Sequence, residues 1–145
     1  MTRSILVAGT LMLTLTASLA AATVARHIAW DAVVAGRDGS KIRGPAEMGA
    51  GKAEGTTNVE VQYTGDTPGA TRPWHVHVGS CAKGGTILGT AKAYPSLTVD
   101  AKGAVKGKAT LSVALPESGN YYVNIHESPT NMGKIVACGD LMLAD

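Results

Sequence analysis

Past residue 26 the chain offers no sustained helical stripe; its apolar residues fall in short alternating runs cut by turn residues. Val59, Val61 and Tyr63 alternate with Glu60 and Gln62, the period-two pattern of a strand with one face in a core. Comparable segments occupy 27–34, 46–52, 58–63, 74–78, 97–99, 104–113, 121–126 and 134–141. Asp100-Ala101-Lys102-Gly103 and Glu117-Ser118-Gly119-Asn120 have the composition of hairpin turns. Glycine is abundant, with 18 residues, and phenylalanine is absent, which suits tight turns between short strands. The expectation is an all-β antiparallel barrel or sandwich of about eight strands in one domain, residues 26–145. No internal repeat or second-domain linker interrupts it; the glycine-rich stretch 36–55 reads as an edge strand with loose turns.

The start of the chain differs. Met1-Thr2-Arg3 is followed by an apolar run from Ile5 to Ala25 that carries no charge until Arg26. Ala20-Ala21-Ala22 offers a small-residue cleavage site, so residues 1–22 read as an export signal peptide. The alternative is a retained membrane anchor, since residues 5–25 would span a hydrocarbon layer of roughly 30 Å. Either reading puts the domain in the periplasm or outside the cell. Removing residues 1–22 takes away Arg3 and leaves a net charge of +1. No basic run is interleaved with aromatics, so nucleic-acid binding has no support. In an oxidising compartment Cys81 and Cys138 are natural partners, the alternative being two free thiols.

The chemistry concentrates in His75-Val76-His77. On a strand, residues i and i+2 share a face, with Cα atoms roughly 7 Å apart, so both imidazoles can reach one metal ion. In Tyr121-Tyr122-Val123-Asn124-Ile125-His126, Val123 and Ile125 face inward and leave His126 on the outward side. Three imidazoles on the outer faces of two strands form a candidate copper site, against the alternative of surface histidines that bind nothing. Met48, Met132 and Met142 could supply thioethers to Cu(I) but read better as gap-fillers, with Met132 the one nearest His126 in sequence. His27, near Asp31, reads as decoration of the first strand, and Glu127 as a solvated side chain, the alternative being that it orients a loop. Other chemistry lacks its motifs: there is no Gly-x-Ser-x-Gly elbow, no phosphate loop around Gly51-Lys52, and no inferable pair of catalytic carboxylates.

At these residues the chain resembles the copper/zinc superoxide dismutase family. The matching features are Thr67-Pro68-Gly69, Trp74-His75-Val76-His77-Val78-Gly79-Ser80-Cys81, Asn124-Ile125-His126-Glu127 and Ile135-Val136-Ala137-Cys138-Gly139-Asp140-Leu141. The resemblance covers about Val59 to Leu141. It implies a flattened Greek-key barrel of eight antiparallel strands with the metal outside its wall. His75, His77 and His126 fall on copper-ligand positions, and Cys81 and Cys138 on the intrasubunit disulfide.

The chain departs from that family in its second metal. Its fourth histidine, His27, lies far upstream, so no bridging or zinc-binding histidine follows His77, and a zinc site is not expected. Only 48 positions separate His77 from His126. Three residues before Cys138, where the family has a guiding arginine, stands Ile135. These departures imply an exposed copper with weakened steering of the superoxide anion. Three functions follow as expectations: a superoxide dismutase-like copper protein of reduced or absent activity, a copper-handling protein without turnover, and a tethered accessory subunit of a larger membrane assembly.

Overall fold

A computed structural model describes residues 27–144; the export signal or anchor expected at the start lies outside the described residues. Nine strands follow in order: β1 (Ala29–Gly36), β2 (Arg43–Ala50), β3 (Thr57–Tyr63), β4 (Thr71–Arg72), β5 (Trp74–Val78), β6 (Leu97–Thr98), β7 (Val105–Leu111), β8 (Tyr121–Ser128) and β9 (Asn131–Leu143). One 3-10 turn, Ala91–Ala93, precedes β6. Seven strands form one antiparallel sheet in the order β5-β8-β9-β1-β2-β3-β7, and β4 pairs with β6. β4 lies against β8 while β6 lies against β7, so the small ribbon brings the two ends of the curled sheet toward each other.

Alternation explains the side of the sheet formed by β1, β3 and β7. Val59, Val61 and Tyr63 point into the core, and Glu60 and Gln62 are exposed. Along β7, Val105, Ala109 and Leu111 are buried while Lys106, Lys108 and Thr110 are exposed. The interior is filled by Trp30, Met48, Tyr63, Trp74, Leu111 and Ile125 with their β-branched neighbours. Fully burying a side chain of this size contributes roughly 1.5–3 kcal/mol.

Several boundaries differ from those read in the sequence. β2 begins at Arg43 rather than 46, with Pro45 inside it. Arg43 pairs with Thr64 and Ala46 with Val61, so the β2–β3 ladder skips Pro45, which has no N–H to give, while Pro45 stays opposite Val33 of β1. β4 has two residues, too few for any alternation to be visible. At Asp100 the chain does reverse: Asp100 Oδ1 accepts from the backbone N–H groups of Lys102 and Ala104, both at 2.8 Å. Residues 117–120, by contrast, are not a hairpin. They lie between β7 and β8, which sit far apart in the sheet order, so the chain crosses over there. Turn composition reports local reversal; pairing is settled by which faces must be buried.

Candidate metal centre

Where the alternation fails, the site begins. β5 is buried at four consecutive positions, Trp74 to His77, and β8 at five, Tyr122 to His126. Trp74, Val76, Val123 and Ile125 belong to the core. The alternate residues, His75 and His77 on β5 and Tyr122, Asn124 and His126 on β8, share the opposite face. Direct cross-strand pairs are His75 with Asn124 and His77 with Tyr122. His126 sits between two register shifts in the β8–β9 pairing, and bulges of this kind re-aim a side chain.

The outward orientation expected for the three imidazoles therefore holds, but the expected exposure does not. His75, His77 and His126 retain only 5%, 9% and 6% of their accessible surface. Two segments cover them. Residues 86–88 run along the free edge of β5, with Val78 N–H donating to Thr86 O and Leu88 N–H to Val76 O, each at 2.8 Å. Behind them Tyr94 packs edge-on against both Trp74 and His75, with centroids 5.3 Å apart in each case. Loop 79–85 closes the other side, tied to β9 by the Cys81–Cys138 disulfide, whose Cα atoms are 6.0 Å apart. Asp140 Oδ1 accepts from Cys81 N–H at 2.7 Å, and Arg37 Nη2 donates to Cys81 O at 2.9 Å.

One nitrogen from each imidazole converges, all three within 4.8 Å of one another. The remaining contacts identify the atoms. His77 Nδ1 lies 2.9 Å from Gly85 O and His126 Nδ1 2.5 Å from Met132 O. A carbonyl only accepts, so both Nδ1 atoms carry the proton and both Nε2 atoms keep their lone pairs. His77 Nε2 is buried without a partner. His126 Nε2 lies 3.1 Å from His75 Nδ1. With bonds of about 2.0 Å to a shared ion, that separation subtends an angle of about 100°, acceptable in tetrahedral or tetragonal coordination. Backbone carbonyls holding the far ring nitrogens are the usual device for fixing a ligating imidazole.

The protonation state suits a metal. Burial, and then the neighbouring His126 and His77, lower the His75 pKa to about 4. Burial also lowers that of His126, against the opposing effect of its bond to the Met132 carbonyl. His75 therefore stays uncharged well below neutral pH.

The other residues singled out in the sequence fall elsewhere. His27 is exposed and outside the group. Met132 contributes its carbonyl, not its thioether, and its side chain is partly exposed; Met48 is core and Met142 is exposed. Glu127 is not merely solvated: it pairs with Lys134 and accepts from Asn131 Nδ2 at 2.6 Å, bracing the start of β9, where Met132 lies. Beneath it Arg72 bonds the Glu127 carbonyl and pairs with Asp66, Nη2 to Oδ1 at 2.6 Å. Gly85, Tyr94, Tyr122 and Asn124 were not anticipated. The double glycine Gly84-Gly85 was the available signal, because a Cβ at Gly85 would fall 1.6 Å from Val78 O. Compared with known proteins, the chain matches no family model and no curated protein.

Proposed function

We propose that this chain is an exported, superoxide dismutase-like copper protein whose copper is held by His75 Nδ1, His77 Nε2 and His126 Nε2. The observation that carries the reading is the convergence of three imidazole nitrogens, two of the rings fixed by backbone carbonyls, and among the described residues no carboxylate belongs to the group. The ordered motifs around these histidines, the disulfide beside them and the curled antiparallel sheet support the family resemblance and its Greek-key barrel. Imidazole binds several first-row metals, and the Irving–Williams order places Cu(II) first among them.

Bound copper would supply a one-electron couple, and dismutation combines two superoxide anions with two protons to give dioxygen and hydrogen peroxide. The chain's own contribution is to hold three imidazoles close together, with the tautomers of His77 and His126 fixed by backbone carbonyls. It also covers them with Tyr94 and Tyr122, the latter stacked on His77 at 5.0 Å, so that only a small ligand can approach. Arg37 is tethered to the Cys81 carbonyl and Asp140 to the Cys81 N–H, so the disulfide loop is held by one charge of each sign. The missing bridging histidine favours a second reading, a copper carrier without turnover.

Copper titration of the purified domain at neutral pH should give one tight equivalent with three-nitrogen hyperfine structure. His126→Ala should weaken binding by more than a hundredfold. A domain that takes up no copper, or a His126→Ala variant that binds as wild type, refutes the site. Superoxide decay measured on the copper-loaded domain separates turnover from carriage.

A further inference from the structure

Among the described residues two buried side-chain atoms lack any hydrogen-bond partner: His77 Nε2 and Asn124 Oδ1. The metal site accounts for the first. Nothing yet accounts for the second, and a buried, unpaired amide oxygen burdens a fold that an apolar residue of the same shape would not.

Asn124 is 3% exposed and stands in the middle of the site's face. It lies directly across from His75 on β5, two residues before His126, and diagonal to His77. Directly opposed residues of an antiparallel pair have Cβ atoms about 5 Å apart, and diagonal neighbours remain within side-chain reach. Its other cross-strand neighbour is Cys138, which has no S–H because it is bonded to Cys81, so that side offers the amide oxygen no donor. The unsatisfied oxygen therefore belongs to a buried side chain on the same strand face as the three imidazoles, with no donor of its own.

Resting on the metal-site reading, we propose that Asn124 is a specificity-determining residue for the fourth ligand. Its carboxamide hydrogen-bonds a small, proton-bearing oxygen ligand, water or a protonated dioxygen-derived species, in the position the imidazoles leave open. Such a ligand needs two to four polar partners, and a bound ion together with the unpaired carboxamide oxygen would begin to supply them. Ligands without a proton to donate, such as azide, gain nothing from the amide oxygen and must displace one that does.

The test is azide titration of the Cu(II)-loaded protein, followed by visible absorption and electron paramagnetic resonance. Asn124→Leu keeps the volume and removes the hydrogen bond. It should retain one copper with three-nitrogen hyperfine structure and bind azide about fivefold to tenfold more tightly, the effect of one lost hydrogen bond. Asn124→Asp puts a carboxylate in the same place and should weaken azide binding by at least tenfold. Azide affinities within twofold of wild type in both variants overturn the proposal, as does loss of copper from a variant that remains folded. Should either variant fail to fold, the Zn(II)-loaded wild-type protein gives the reading instead. Azide must then shift the Asn124 side-chain amide resonances, and an unmoved signal counts against the role. Failure of the wild-type protein to take up any metal sinks the metal site itself, a separate result.

Discussion

At the scale of single residues, the site is built from protonation and tautomer. His75 is held near pKa 4 by burial first and by the other two imidazoles second. An unfolded histidine titrates near 6.5, so between these values the unfolded chain binds the extra proton and the folded chain does not. The stability of the metal-free domain is therefore full above about pH 6.5 and falls as pH drops toward 4, by at most about 3 kcal/mol from this residue. Urea unfolding of the metal-free domain at pH 7.5 and pH 4.5 checks the sign; His75→Gln should flatten much of the difference. A second residue-scale prediction concerns the buried ion pair beneath the site. Arg72→Met leaves Asp66 buried without its partner, and denaturant unfolding should show a loss of about 3–5 kcal/mol.

At the scale of elements, β5 and β8 depart from the alternation of β1, β3 and β7, and the cause lies in the covering loops. β5 and β8 are buried on both faces because residues 79–96 fold back over the outer one. Loop 79–85 does more than exclude water, since Gly85 O fixes the His77 tautomer. Gly85→Val would drive a side chain into the Val78 carbonyl and displace that oxygen. Copper affinity should fall about 10–100-fold, the usual consequence of losing such an outer partner. Competition against a chelator of known affinity measures it, with the melting temperature of the metal-free form as the control for folding. At this scale the three imidazoles prove buried, where the sequence suggested an exposed group. Deleting a long loop from a pattern does not reveal where the shorter one will lie.

Across the whole molecule, the disulfide joins loop 79–85 to β9 over a sequence separation of 57. On the chain-entropy model, closing a loop of that length stabilises the fold by about 4 kcal/mol. Cys81→Ser with Cys138→Ser should lower the unfolding free energy of the metal-free domain by about that amount. It should also weaken copper binding, because the same loop carries Gly85. A double variant with unchanged copper affinity would show that loop 79–85 is held well enough by Asp140 and Arg37 alone.

Much of this organisation was legible in the chain. The β class follows from period-two alternation, which is a local property of each segment, and β3 and β5 could be bounded within a residue. His75 and His77 had to share a face because strand geometry allows nothing else, and Val123 and Ile125 assigned His126 to the same side of the sheet. What lay beyond reach depended on contacts between distant segments. The tautomers of His77 and His126 are set by carbonyls eight and six residues away, one in a loop of no regular pattern and the other beyond the tight turn between β8 and β9. Arg37 and Asn124 acquire meaning only when β1, β8 and β9 are laid side by side. Periodicity fixes which way a side chain leaves the backbone. Only the closed tertiary structure decides what covers it, which of its polar atoms stay unpaired, and so what it can bind.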